Sequence, residues 1–136
     1  MAYKFEQLEV WQLSLEYIDL IYQLGEKLPR SEEYNLKSQI IRAATSISLN
    51  IAEGSTGQTD AEQARFLGMA IRSLIETIAC QHIIRRRKYL ADGILLDNLY
   101  KQSQLLARKL QAFRNAISKT ERKVKDEQVV YFIDEI

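Results

Sequence analysis

Apolar residues recur at alternating spacings of three and four along most of the chain, the pattern of amphipathic helices. The first run, from about Phe5 to Leu28, repeats at Leu8, Trp11, Leu15, Ile18 and Tyr22, and Pro29 closes it. At about 100° per residue, Val10, Leu13, Tyr17, Leu20, Ile21 and Leu24 fall on further faces, leaving Glu9, Gln12, Glu16, Asp19, Gln23 and Glu26 as a polar wedge. An outer helix of a monomeric bundle needs an apolar stripe of roughly 100° or somewhat more. This arc covers more than half the helix, so a second face is expected to pack on another subunit.

The second helix is expected to start at Ser31, a suitable N-cap with Glu32 and Glu33 in the first turn, and to run to about Glu53. Leu36, Ile40, Ala43, Ala44, Ile47 and Ile51 make its core stripe, and Gln39, Arg42, Ser46, Asn50 and Glu53 a polar row opposite, with Gly54 as the stop. Ser55 to Thr59 reads as a loop. Thr59 and Glu62 are spaced as a capping box for a third helix reaching about Leu90. Leu67, Ala70, Ile71, Leu74, Ile75 and Ile78 are its apolar face, and Gly68 and Ser73 offer small surfaces for close packing. After an Asp92-Gly93 turn, Leu96, Leu99, Ser103, Leu106, Leu110, Phe113 and Ile117 follow heptad spacing in a fourth helix. The pattern predicts an all-α, up-and-down antiparallel four-helix bundle over residues 1–117. Residues 118–136 read as a charged linker and C-terminal tail; VVYFIDEI, β-branched and aromatic, is expected to be a partly ordered terminus or a strand added to a neighbour.

At 136 residues the chain has single-domain length. A lone cysteine, Cys80, excludes an internal disulfide and fits a reducing cytoplasm. No apolar run approaches a membrane span, and glutamates stand where a signal peptide would be uncharged, so a cytoplasmic protein without membrane contact is expected.

The net charge of +1 hides an asymmetry. Residues 1–60 hold five Lys or Arg against nine Asp or Glu, residues 61–125 fourteen against five, and residues 126–136 none against four. Arg85, Arg86, Arg87 and Lys88 are four consecutive cations, which helical pitch spreads around the surface, and Arg108, Lys109 and Arg114 extend the charge. Phosphate backbones suit such density. No aromatic stacking platform or base-reading motif accompanies it, so the expected contacts are to phosphate. The competing reading pairs these cations with the acidic wedge of the first helix across subunits.

Catalytic chemistry finds little support. His82, the only histidine, lies on the wheel between Ile75 and Ile78, within the apolar stripe of the third helix, and is expected to be a satisfied structural histidine. Cys80 and His82 alone cannot make a zinc site, which wants about four ligands. Gly54-Ser55-Thr56-Gly57 lacks the P-loop lysine and follows a helix. No catalytic residue, metal or cofactor is expected.

FEQLEVWQLSLEYIDLIYQL, QIIRAATSISLNIAEG and FLGMAIRSLIET together resemble the bacterial four-helix-bundle family encoded in intervening sequences of the large-subunit ribosomal RNA. The resemblance spans roughly Phe5 to Ile117 and is most specific at Gln39, Arg42, Ala43, Ser46, Ile47, Asn50, Ile51, Ala52, Glu53 and Gly54. It implies an up-and-down bundle assembled as a ring-shaped homopentamer, and a relation to the accessory protein of diversity-generating retroelements, which binds nucleic acid and a reverse transcriptase. Arg72 stands where the family tends to have glycine, a cation expected to enlarge a basic channel or to pair with Glu53. Arg42, Asn50 and Glu53 are expected to hydrogen-bond across helices or subunits, with Glu53 compensating a buried arginine. The expected function is that of a non-enzymatic homo-oligomer, a nucleic-acid-associated accessory or scaffold whose partners are itself, RNA or DNA, and a reverse transcriptase or other protein. The alternative is a protein-binding oligomeric scaffold with no nucleic-acid contact.

Overall fold

The computed structural model describes the backbone of residues 2–57 and 59–135 and the side chains of residues 2–57 and 59–118. Four α-helices follow one another: α1 (Glu9–Lys27), α2 (Leu36–Gly54), α3 (Asp60–Arg87) and α4 (Ile94–Glu135). Single 3-10 turns, Lys4–Gln7 and Arg30–Glu32, precede α1 and α2. Each helix packs on its neighbours in sequence and α1 closes on α4, whereas the diagonal pairs α1–α3 and α2–α4 do not approach at the backbone. This is the expected up-and-down antiparallel four-helix bundle.

The core stripe of α2 is as the spacing predicts: Leu36, Ile40, Ala43, Ala44, Ile47 and Ile51 are all buried. So are Leu96, Leu99, Ser103, Leu106 and Leu110 of α4, while Phe113 and Ile117 pack at its margin. Two stripes are corrected. In α1 the buried residues are Val10, Ser14, Tyr17, Ile21, Leu24 and Gly25; the repeat Leu8, Trp11, Leu15, Ile18, Tyr22 is the outer one, with Leu15 39% and Tyr22 50% exposed. Periodicity cannot rank two apolar stripes on one helix, and the tyrosine and serine that look peripheral are the ones that point inward. In α3 the core passes through Leu67, Ala70, Leu74, Thr77, Gln81 and Ile84, and Ile75 is turned out.

Helix ends follow local chemistry. Thr59 caps α3 by accepting from the Glu62 backbone N–H at 3.1 Å, and Asp92 Oδ1 accepts from Ile94 N at 3.0 Å at the start of α4. Ser31 does not cap α2, because the Arg30–Glu32 turn intervenes and the helix begins at Leu36. α3 ends at Arg87, three residues earlier than expected, where Lys88 adopts the left-handed conformation (φ 57°) that breaks the hydrogen-bond ladder. α4 carries its helical backbone through Glu135, so the stretch read as linker and tail continues the helix. Its side chains lie outside the described residues, as does any docking of VVYFIDEI.

Candidate nucleic-acid interface

The four cations at the end of α3 are all exposed but differ in their partners. Arg85 donates to Asp97 Oδ1 at 2.9 Å. Arg87 lies over the Tyr89 ring, 5.9 Å from its centroid, with Nε 3.4 Å from the Tyr89 hydroxyl, and that hydroxyl donates to Glu32 Oε2 at 2.6 Å. The Tyr89 hydroxyl, then the Asn35 amide, holds the Glu32 carboxyl below the usual carboxylate range. Arg86 and Lys88 form no ion pair among the described residues. Further along α4, Lys109 binds Glu9 of α1 at 2.6 Å, so within the single chain this cation pairs with one carboxylate of the acidic wedge. Arg108 is exposed without a carboxylate partner, and Arg114 lies against α3, where a Cβ on Gly68 would stand 3.1 Å from its guanidinium.

The seven cations therefore do not form one patch. Gly68 marks where Arg114 meets α3, and from there to Arg86 is about 27 Å at 1.5 Å per residue. Three other residues join the dispersed charges: Arg65 and Arg72 on α3 and Lys101 on α4, all exposed and none paired with a carboxylate among the described residues. Arg65 is braced over Phe66, 4.8 Å from the ring centroid. Arg65, Arg72 and Arg86 fall on one outward row because their separations are multiples of seven, as is that of Lys101 from Arg108. That spacing is visible in the sequence but is eclipsed there by the consecutive run at Arg85. The result is a basic outer face on α3 and α4, opposite the apolar outer stripe of α1.

The motif row lies elsewhere, on the α2 side of α3. Gln39, Arg42 and Ser46 line an open polar groove of about 510 Å3 with Ser73 and Glu76 of α3. Ser46 Oγ accepts from Asn50 Nδ2 and from Ser73 Oγ, each at 3.0 Å, and Asn50 also donates to the Ser46 carbonyl at 2.9 Å. Small hydroxyls meeting here let α2 and α3 pack closely. The expected pairing of Glu53 with Arg42 or Arg72 is absent within the chain: all three are exposed, and no ion pair joins them among the described residues. Arginine is thus not buried by this fold, and only a contact between subunits retains that role. Gly54 ends α2, but without a positive φ. Its requirement is space, since a Cβ there would stand 2.8 Å from Phe66 Cβ.

His82 is not interior. It is exposed at the α3–α4 seam, where its ring meets Tyr100 edge to face, centroids 6.2 Å apart. Cys80 is buried, and burial, then the Glu76 carboxylate, pushes its thiol up, away from nucleophilic thiolate. No group of three or more metal-ligating side chains occurs among the described residues, and no helix there is long and apolar enough to cross a membrane.

The sequence profile of the family described as 23S rRNA-intervening sequence protein matches residues 6–112. Among solved structures, the chain is similar to a crystal structure of a protein with unknown function from the S23 ribosomal protein family of Bacteroides thetaiotaomicron. The two share 25% identity at a TM-score of 0.71, covering 77% of this chain and 97% of that one. A comparison with curated proteins found no match.

Proposed function

This chain belongs to the family of 23S rRNA-intervening sequence proteins, and from that membership we propose that it is a non-enzymatic, self-associating cytoplasmic bundle that holds RNA or DNA by its phosphates. The observation that carries the proposal is the outer face of α3 and α4, where Arg65, Arg72, Arg86, Lys101 and Arg108 are exposed and free of carboxylate partners among the described residues. A face kept basic while Arg85 and Lys109 are neutralised nearby focuses potential toward a polyanion. Each phosphate contact releases counterions, so log affinity falls by about 0.9 per contact per decade of salt. Arg72→Ala, Arg86→Ala and Arg108→Ala together are expected to flatten that slope by up to about three units on duplex DNA. Filter binding across a salt series measures it. A variant that binds as tightly as the parent at every salt concentration removes the face from the mechanism and favours the protein-scaffold alternative.

Self-association is assigned to the outer stripe of α1. Trp11 and Ile18 are only partly covered, Leu15 and Tyr22 more exposed still, and Phe5 extends the stripe by an edge contact to Trp11 at 4.9 Å. Continuous apolar surface of this kind marks an interaction site, and the pentamer implied by the resemblance supplies the stoichiometry. Light scattering is expected to give five times the 15.8 kDa chain mass, and Leu15→Glu with Tyr22→Glu to return it to that of a single folded chain. A monomer in the unaltered protein at micromolar concentration ends this part of the proposal.

A further inference from the structure

An open cleft of about 320 Å3 lies between α3 and α4, lined by Gln81, His82, Arg85, Leu96, Asp97 and Tyr100. Gln81 and Leu96, both buried, form its base, and the four exposed residues form its rim. A chain of hydrogen bonds beneath it fixes which way the Gln81 amide points. Thr77 donates its only hydroxyl proton to the Leu74 carbonyl at 2.6 Å. Its Oγ1 must therefore accept from the Tyr17 hydroxyl, 2.7 Å away. With that proton committed, Tyr17 accepts from Gln81, which is donating through Nε2 at 2.7 Å. Gln81 Oε1 is left over as an acceptor, and it is the one buried side-chain polar atom without a partner among the described residues. Leaving such an atom unpaired is costly enough that a donor should be sought for it.

The surroundings specify the donor. His82 and Tyr100 stand nearly perpendicular, 73° between their planes, so an entering flat ring meets one ring face and one ring edge. Asp97 gives one carboxylate oxygen to Arg85 and presents the other as a second acceptor. The cations Arg86 and Lys88 lie within a turn of Arg85. The volume is at the low end for small-molecule sites. We propose that the cleft takes a single unpaired nucleobase carrying an exocyclic amino group, stacked at His82 and Tyr100, with its amino N–H donated to Gln81 Oε1 or Asp97 and its phosphate on the adjoining cations. Gln81 Oε1 is covered from solvent, so the base reaches it once the His82 and Tyr100 rings part, which their exposed positions on the seam allow. This inference rests on the reading above that the α3–α4 face holds nucleic acid, and adds that the strand must be single there.

Cytidine and uridine monophosphates have nearly the same shape but differ in an amino or an oxo group at one ring position, and they make the test. In NMR titrations, cytidine monophosphate is expected to shift the His82 and Tyr100 ring resonances saturably, and uridine monophosphate to bind about tenfold or more weakly, because an oxo group has no proton to give Gln81 Oε1 and would leave it unpaired. Single-stranded cytidine-rich oligonucleotide is expected to outbind a duplex of equal length. Tyr100→Ala, at a position 44% exposed, should weaken the single strand about tenfold and leave the duplex unchanged. Unmoved rings, or equal binding of the two nucleotides, overturns the base site. If duplex and single strand bind alike, with salt dependence but no effect of Tyr100→Ala, the phosphate reading stands and the base site falls. If cytidine monophosphate binds but no oligonucleotide does, the site stands as one for a free nucleotide and the phosphate reading falls.

Discussion

Replacing Tyr17 with phenylalanine is expected to destabilise the chain by about 2 kcal/mol at neutral pH and to remove a sensitivity to alkali. The Tyr17 ring is 1% exposed and its hydroxyl links α1 to α3 across the bundle through Thr77 and Gln81. Without it, the Gln81 Nε2 donor is buried and unpaired, adding to the unpaired Oε1, and such a group costs roughly 1–3 kcal/mol. Burial dominates the hydroxyl's ionisation. Opposed by its hydrogen bonds to Thr77 and Gln81, burial pushes Tyr17 up to about 12 from the ordinary 10.0. Below pH 10 both folded and unfolded chains keep the proton, and this group gives no pH dependence. Between pH 10 and about 12 the unfolded chain loses it while the folded chain holds it, so stability falls as pH rises, by up to about 3 kcal/mol at 1.36 per unit. Urea unfolding at pH 8, 10 and 11.5 should show the two proteins converging at the highest pH. Parallel loss in both would assign the alkaline effect to other groups.

Gly54→Ala and Gly25→Ala are expected to act in opposite directions. Helix propensity favours alanine at both sites by about 1 kcal/mol, and neither glycine has a positive φ. At Gly25 the added methyl would meet Ile41 Cδ1 and Lys37 Cγ at 3.4 Å, an ordinary contact, so stability should rise by up to about 1 kcal/mol. At Gly54 it would meet Phe66 Cβ at 2.8 Å. A Cβ atom moves only with its backbone, so α2 and α3 must separate there, an overpacking cost of about 1–3 kcal/mol that outweighs propensity. Thermal unfolding of the two variants should bracket the parent. Two variants that both raise the midpoint would show that the α2–α3 crossing yields easily and that the glycine is not required for packing.

The fold was legible because its signal is redundant. The α4 heptads and the α2 stripe each contain enough apolar positions to fix an inward face without knowledge of the partner. α1 was ambiguous for the opposite reason, since Leu8, Leu15 and Ile18 are as apolar as Val10, Ile21 and Leu24, and only the neighbouring helices decide which stripe is covered. Polar core positions were the harder case. Ser14, Thr77 and Ser103 are buried because each returns its hydroxyl proton to the carbonyl three residues back on its own helix, whereas Gln81 donates its amide to Tyr17 across the bundle, a pairing that requires the three-dimensional register. The basic half of the chain was evident from counting charges. Which cations remain unpaired was not, because Arg85 meets a carboxylate from the next helix and Lys109 one from the first. The His82–Tyr100 contact joins side chains eighteen positions apart across a turn, so no spacing rule within either helix points to it.

The bond from Tyr89 to Glu32 ties the α3–α4 connection to the α1–α2 connection at the same end of the bundle. The molecule is two helical hairpins joined at the opposite end by the short segment after Gly54. Such an arrangement invites domain swapping, in which the hairpins open about that hinge and each closes on the hairpin of another copy. The tie opposes that opening, as a clasp does on the free edge of a hinged case. Under the proposed self-association through α1, whole bundles would join, each keeping its own core, so that subunits could be added without any chain unfolding.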